Sequence, residues 1–132
     1  MLKLLFIALG GAAGTLLRYG ISGLGYGLSN GIFPLGTLLV NLSGSFAIGF
    51  LWGLFEGANI SPVLRTTIFI GILGGYTTFS SFALESFNLF REGEYKTALI
   101  NILASNIFGI GLAIGGFILA GLLIANLKGV TR

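Results

Sequence analysis

Four long apolar stretches, separated by short polar segments, run along the 132-residue chain. A helix needs about 20 mainly apolar residues to cross a bilayer, and each stretch is long enough. The expected spans lie at about 4–24, 33–55, 62–87 and 97–125. Charged residues make up 8% of the chain, whereas a soluble domain carries about 25%. The sequence therefore predicts an all-α integral membrane protein, with one four-helix transmembrane domain covering residues 1–132.

The residue inventory excludes several classes of function. The sequence has no cysteine or histidine, and all four of its acidic residues are glutamates. Disulfide frameworks, the usual zinc sites and Ser-His-Asp or Cys-His catalysis are thereby excluded. The net charge of +3 is small and its basic residues are scattered, so no nucleic-acid partner is expected. The first apolar stretch continues past the length of a signal peptide and is interpreted as a retained span.

The basic residues give a weak orientation signal. Four of them are expected on the side that holds both termini: Lys3, Arg65, Lys128 and Arg132. Arg91 and Lys96 lie in the segment 88–96, which is expected in water on the other side, with Arg18 added if its head reaches outward. So small a difference in basic residues between the two sides is compatible with a chain that inserts into the membrane in both orientations. It is equally compatible with an ordinary protein that has one orientation.

The third span contains an unusual stretch at residues 74–82, which reads Gly-Gly-Tyr-Thr-Thr-Phe-Ser-Ser-Phe. Paired glycines weaken a helix, and neighbouring hydroxyl side chains compete for its backbone groups. We therefore expect the third helix to break near mid-membrane. A break frees backbone carbonyls, which are cation ligands, and it survives in hydrocarbon only inside protein or beside a watery cavity.

Two aromatic rings follow the expected break. Phe79 and Phe82 are three residues apart and leave one face of the second half-helix. Because a phenyl ring has a positive edge, two such edges facing a pore would suit a small anion. The alternative is ordinary packing, with the glycine pair at a close helix contact.

The first two spans carry polar or small residues at helical spacing. Gly10 and Gly14 form a Gly-x-x-x-Gly pair that lets a partner helix approach, and Arg18 follows one turn later. Arg18 either faces a cavity or reaches the membrane interface. In the second span, Asn41 stands between Thr37 and Ser45, and its amide either joins helices or donates to a ligand.

The last two spans add further polar positions. Asn101, Ser105 and Gly109 recur every four residues in the fourth span, where they either pass an anion along or lock helices together. Glu85 lies one turn after Phe82 and is expected at a pore mouth or beside a cation such as Arg18.

A bundle of four helices leaves little room for both a pore and a sheltered break. A two-fold dimer would shelter two breaks against each other and gather their carbonyls around one point. Neutral oxygen ligands suit a monovalent cation better than calcium or magnesium, which prefer carboxylates. Sodium at a dimer centre is therefore a hypothesis that these residues permit.

The whole chain resembles the small fluoride channels called Fluc or CrcB. Three motifs carry the resemblance: Gly10-Gly11-x-x-Gly14-x-x-x-Arg18-Tyr19, Pro34-x-Gly36-Thr37-Leu38-x-Val40-Asn41-x-x-Gly44-Ser45-Phe46 and Gly74-Gly75-x-Thr77-Thr78-Phe79-Ser80-Ser81-Phe82. The resemblance implies an antiparallel, dual-topology homodimer in the inner (plasma) membrane. It further implies two fluoride pores that passively export fluoride and lower its toxicity in the cytoplasm.

The resemblance also implies roles for particular residues. Backbone carbonyls of Gly74 and Thr77 would hold a structural sodium ion at the dimer centre. The pore positions that it implies are Asn41, Phe79, Phe82, Thr37 and Ser105, and Arg18 matches an arginine near a vestibule.

Two positions depart from the family pattern. Ser81 stands where the family usually has threonine, so the hydroxyl is kept and a methyl group is lost. Asn101 stands where many members have a pore tyrosine, so the ion path beside it is less well defined.

Fluoride is small and strongly hydrated, so a bare fluoride ion in a low-dielectric interior is costly. We expect donors from Asn41, Ser105 and the region of Ser80 and Ser81, with the ring edges, to replace its water in stages.

Three other classes of protein are alternatives for this sequence. A small multidrug exporter normally needs a carboxylate in its first span, and this chain has none there. A subunit that stabilises a larger assembly predicts no ion flux. An enzyme is the least expected class, because Arg18 and Glu85 are the sole candidates for a buried acid–base pair.

Overall fold

The computed structural model describes residues 1–28 and 31–130. Its elements are α1 (Leu2–Leu28), α2 (Leu35–Phe55), α3 (Pro62–Thr66), a π-helical segment (Thr67–Leu73), α4 (Gly74–Tyr76), α5 (Phe79–Arg91) and α6 (Tyr95–Val130). Everything from Pro62 to Arg91 forms one interrupted span, so four helical segments are long and apolar enough to cross a membrane. Among the described residues no strand occurs. The predicted all-α architecture with four spans is confirmed.

The ends of the spans differ from the prediction. The first span was expected to end at about residue 24, but α1 continues to Leu28, and residues 29 and 30 lie outside the described part of the chain. The fourth span was expected to end at about residue 125, yet α6 continues to Val130. Arg132, one of the basic residues used for orientation, also lies outside the described part of the chain.

The water-facing segment expected at 88–96 is shorter than predicted. Helix α5 continues to Arg91 and α6 begins at Tyr95, so three residues connect them. The turn has the Schellman hydrogen bonds, with the Glu94 N–H donating to the Leu89 carbonyl at 2.8 Å and the Gly93 N–H to Phe90 at 3.1 Å. Gly93 has φ of +81°, which glycine adopts at little cost. Arg91 and Lys96, which were assigned to a loop, therefore lie in helix ends, whereas Glu92 and Glu94 lie in the turn.

The third span starts and breaks as expected. The Ser61 hydroxyl accepts from the Leu64 N–H at 3.2 Å, and Pro62 occupies the first helical position. The helix stops at Thr77 and Thr78, whose ψ angles of 158° and 115° are extended. Thr78 then caps α5, because its hydroxyl accepts from the Ser81 N–H. The break predicted near mid-membrane is confirmed.

Close backbone contacts hold the first half of this span against α1. A Cβ atom added at Gly14 would lie 2.9 Å from the Tyr76 nitrogen, and one at Gly75 would lie 2.6 Å from the Gly11 carbonyl oxygen. Gly10 faces Gly71 in the same way. Two glycine pairs, each with a spacing of four, therefore pack face to face. In a membrane such contacts stabilise helix pairs through van der Waals packing.

Helices α2 and α6 form the second close pair. A Cβ atom at Gly53 would lie 2.8 Å from the Cβ of Ala120, and Gly49 and Gly116 also meet backbone of the opposite helix. Helix α5 packs against α6. The break in the third span thus lies between the α1 contact on one side and the α2–α6 pair on the other.

Candidate functional site

A cavity of about 330 Å³ opens directly beside the helix break. Its walls come from α2, the third span and α6. Six residues that the sequence singled out line it: Asn41, Gly74, Thr77, Phe79, Phe82 and Ser105. Residues far apart in the sequence therefore meet at one place, although their roles remain predictions.

Asn41 joins α2 to the broken backbone. Its Nδ2 donates to the Thr78 carbonyl at 2.9 Å, and its Oδ1 accepts from the Thr78 N–H at 2.8 Å. The amide thus gives the Thr78 N–H a new acceptor at the break and adds a second donor to the Thr78 carbonyl, which as the N-cap carbonyl already starts the hydrogen bonds of α5. Since Nδ2 carries two hydrogens, one N–H remains for the cavity after the bond to Thr78. The structure shows the helix-joining role and leaves the amide able to serve a ligand as well.

The same contact releases the Gly74 carbonyl. In a continuous helix that carbonyl would accept from the N–H of Thr78, four residues later, but this N–H is bound to Asn41. Gly74 is exposed on the surface of the single chain. A backbone oxygen there, inside a membrane span, needs a partner. Its chemistry fits a monovalent cation.

Arg18 lies against the other predicted carbonyl. Its Nη1 donates to the Thr77 carbonyl at 3.5 Å, a long hydrogen bond for a charged donor. Because a guanidinium and a metal cation repel each other, Arg18 and a cation would compete for this oxygen. Arg18 therefore reaches toward the break instead of pointing away from the bundle.

The two phenylalanine rings differ strongly in exposure. Their centroids are 5.5 Å apart, with an angle of 51° between the ring planes. Phe82 is 9% exposed, whereas Phe79 is 78% exposed. Phe82 thus belongs to the wall within one chain, while Phe79 presents its ring outward from it.

The Ser105 side chain places a hydroxyl in the cavity wall. Its Oγ is buried and, among the described residues, has no hydrogen-bond partner. Buried hydroxyls are nearly always hydrogen-bonded, so an orphan in a cavity wall indicates a missing partner. The Ser105 hydroxyl and the second N–H of Asn41 are therefore two hydrogen-bond donors in the cavity that a ligand could accept from.

The remaining predicted residues lie outside the cavity wall. The Thr37 hydroxyl donates to the Glu85 carboxylate at 2.7 Å. The hydroxyls of Ser80 and Ser81 lie 3.3 Å and 3.1 Å from the Thr78 hydroxyl, beside the start of α5. Their pore roles remain predictions, as does the suggested pairing of Arg18 with Glu85.

Asn101 belongs to a helix-joining network. It is 1% exposed, and its Nδ2 donates to the Ser86 hydroxyl at 3.0 Å. Ser86 donates in turn to the Phe82 carbonyl at 2.8 Å. The sequence reasoning missed Ser86, although its position one turn after Phe82 was a usable signal. Of the two alternatives for Asn101, the structure shows helix joining.

These features define a class. The chain is a multi-pass integral membrane protein in which polar donors and a helix break surround a cavity at membrane depth, as in channels and transporters. The family model described as "CrcB-like protein, Camphor Resistance (CrcB)" matches residues 5–117. The chain therefore belongs to the CrcB family, in agreement with the resemblance of its motifs.

Curated relatives support this assignment over nearly the whole chain. A protein from Parabacteroides distasonis is 46% identical over 97% of this chain and all of its own length. One from Salinibacter ruber is 50% identical over 92% of this chain and 95% of its own. One from Pyrococcus abyssi is 46% identical over 88% of this chain and 94% of its own. Each is named a fluoride-specific ion channel, which describes a transporter and not an enzyme.

Proposed function

We propose that this protein is a fluoride-selective channel that passively exports fluoride across the cell's inner (plasma) membrane and so lowers fluoride toxicity. The observation that carries the proposal is the orphan hydroxyl of Ser105 in a cavity that also holds Asn41 and the Phe82 ring. The names of the relatives supply the identity of the ion.

The cavity offers fluoride what it loses on leaving water. A small anion accepts hydrogen bonds strongly, and the free N–H of Asn41 and the Ser105 O–H are both donors. The positive edge of the Phe82 ring adds a weaker attraction. Donors held in fixed positions favour a small halide over chloride, whose larger radius changes both the fit and the contact distances. The site thus replaces hydration in steps.

The protein acts in this proposal as an antiparallel homodimer with two pores. Phe79 is 78% exposed and Gly74 is exposed in the single chain, although both lie at the break. A second copy would cover these positions and bring Phe79 to the partner's cavity, completing each pore with a ring from the other subunit. The weak charge bias of the loops suits insertion in both orientations.

A structural sodium ion at the dimer centre belongs to the same proposal. The Gly74 carbonyl has lost its helical partner, and a two-fold axis through the break would supply the same oxygen from the partner subunit. When bound, sodium would serve as the missing partner of these oxygens and hold the two breaks together. The Thr77 carbonyl joins the site only when Arg18 releases it.

Fluoride release from liposomes tests the function. Purified protein is reconstituted in vesicles loaded with fluoride, and release is followed with a fluoride electrode after the membrane potential is set with a potassium ionophore. Fast release of fluoride with no release of chloride is expected. Equal rates for both ions would contradict selectivity. No release from well-folded protein would instead favour a subunit that stabilises a larger assembly.

Dual topology has its own test, because the chain has no native cysteine. A single cysteine placed at exposed Ala58, in the loop between α2 and α3, should be labelled by an impermeant maleimide from both sides of the membrane. About half of the protein is expected to react from each side in sealed vesicles whose protein inserted in the cell. Labelling from one side alone would show a single orientation.

A further inference from the structure

We infer that Ser45 of α2 is a further anion-binding residue of the cavity, in line with Asn41 and facing α6 one turn beyond Ser105. The inference deepens the proposed function and rests on it. Ser45 lines the cavity, as do Asn41 and Ser105. Nothing in the motif that contains Ser45 distinguishes it from a small residue at a helix contact, so its position in the structure carries the argument.

Ser45 follows Asn41 by one helical turn on the same face of α2. The residues of α2 that line the cavity are Asn41, Gly44, Ser45 and Ile48, a spacing typical of one helix face. The step of four residues from Asn41 to Ser45 corresponds to a rise of about 6 Å along the helix, so the hydroxyl is the next polar group that an ion meets after the amide. One turn further on, Ile48 is apolar. Along α2 the polar wall therefore consists of Asn41 and Ser45.

The facing wall of the cavity, formed by α6, lacks a donor at the level of Ser45. In α6, Asn101 points away to Ser86, and Gly109 has no side chain. Ser105 is therefore the member of that stripe with a side-chain donor for the cavity, and its neighbour Asn106, which also lines the cavity, already donates to the Ile102 carbonyl at 2.7 Å. A Cβ atom added at Gly109 would lie 3.5 Å from the Ser45 Oγ. Ser45 thus occupies the level at which α6 would present its next donor after Ser105.

The Ser45 hydroxyl is also available. Several hydroxyls in these helices donate back to their own backbone: Ser43 to the Leu39 carbonyl at 2.7 Å and Thr67 to the Val63 carbonyl at 2.8 Å. Within the described part of the chain, Ser45 makes no such bond, and Ser105 makes none either. Two hydroxyls on facing helices therefore share one cavity, and each has a proton to donate.

The chemistry follows from these positions. A hydroxyl rotates freely about its C–O bond, so Ser45 can turn its proton to an ion arriving from Asn41 and keep contact as the ion moves on. Asn41, Ser45 and Ser105 together offer three donors from two helices. An anion between them exchanges one donor for the next without being left bare in a low-dielectric interior.

Removal and relocation of the hydroxyl test the inference in the liposome fluoride-release experiment. Ser45→Ala is expected to slow fluoride release about tenfold, as for one hydrogen bond to a charged group. Adding Gly109→Ser to Ser45→Ala places a hydroxyl on the facing helix at the same level, and we expect it to restore most of the rate. The matched control is Gly109→Ala in the Ser45→Ala background, which adds the same carbon without the hydroxyl and should leave the defect uncorrected.

The outcomes separate the inference from the function on which it rests. An unchanged rate in Ser45→Ala, with a fluoride-conducting wild type, overturns the inference alone. Recovery with Gly109→Ala equal to that with Gly109→Ser also overturns it, because packing would then explain the defect. A wild type that releases no fluoride overturns the proposed function and this inference with it. The thermal midpoint of each variant in detergent shows whether it has folded. If Ser45→Ala misfolds, Ser45→Cys replaces it, because a thiol is of similar size to the hydroxyl and is a weaker hydrogen-bond donor. Fluoride release through Ser45→Cys should also be slow.

Discussion

The two halves of the third span are held in place by different forces. Before the break, α4 and the π-helical segment lie against α1 through glycine backbones, at distances that leave no room for a side chain. After the break, α5 is tied to its neighbours by polar side chains: Thr37 to Glu85 and Asn101 to Ser86. The first half is thus fixed by shape and the second by hydrogen bonds.

Because the two halves are held differently, we expect the first half to matter for folding of the bundle and the second half for conduction of the ion. A close backbone contact has one geometry, so the first half serves as a support for the break. Hydrogen bonds between side chains hold α5 while leaving its rings and hydroxyls at the edge of a cavity. Substitutions in the first half should therefore prevent correct folding, whereas those in the second should alter ion flux in a folded protein.

The largest effect is expected at Gly14. In Gly14→Leu, the new side chain would collide with the backbone at Ile72 and Tyr76, and overpacking of this kind costs about 1–3 kcal/mol or more. We expect loss of monodisperse protein in size-exclusion chromatography and a lower thermal midpoint. Gly20→Leu is the control on the same helix, because a Cβ there meets nothing within 4 Å. Equal behaviour of the two variants would contradict the packing argument.

The second-largest effect is expected for Asn41→Ala. It removes both bonds to Thr78, and each buried polar group left unsatisfied costs about 1–3 kcal/mol. We expect a lower thermal midpoint together with loss of fluoride release. Asn41→Asp sharpens the comparison, since it keeps the acceptor for the Thr78 N–H but has no amide N–H for the carbonyl or the ion. Normal flux in both variants would exclude Asn41 from the pathway.

Replacement of the rings tests the second half directly. Phe82→Ile and Phe79→Ile are expected to cut fluoride release by about tenfold or more with the fold intact, because the positive ring edges are lost. Phe87→Ile is the control, since Phe87 lies on the same helix, is 59% exposed and does not line the cavity. Unchanged flux in both pore variants would remove the ring edges from the mechanism.

The smallest effect is expected at Asn101. In Asn101→Leu one bond between helices is lost, and such bonds contribute about 0.6–2 kcal/mol in membranes. The thermal midpoint should fall by a few degrees, and flux should stay within about twofold of wild type. If flux disappeared while the midpoint stayed unchanged, Asn101 would have a direct role in the ion path.

Local chemistry made much of the fold predictable from sequence. The Ser61–Pro62 start, the Gly10–Gly14 contact and the break after Gly74–Gly75 each follow from residues that lie within a few positions of one another. The π-helical segment at Thr67–Leu73 was not expected, because no local residue pattern distinguishes it from an ordinary α-helix.

The polar partners within the site were harder to predict. Asn41 meets Thr78 across 37 positions, and Thr37 meets Glu85 across 48. Sequence spacing shows which face of a helix a residue occupies but not which helix it meets. The helix ends at Arg91 and Tyr95 were missed for another reason, since one glycine with a positive φ makes a turn of three residues, and Arg91 and Lys96 on either side of it stay helical.

The most direct measurement of the central claim is the reversal potential of the purified protein in a planar bilayer, with fluoride and chloride gradients set in opposite directions. A passive fluoride channel predicts a current that reverses at the potential set by the fluoride gradient and that is unaffected by the chloride gradient. A reversal potential that follows chloride, or a folded protein that carries no current, would contradict the account.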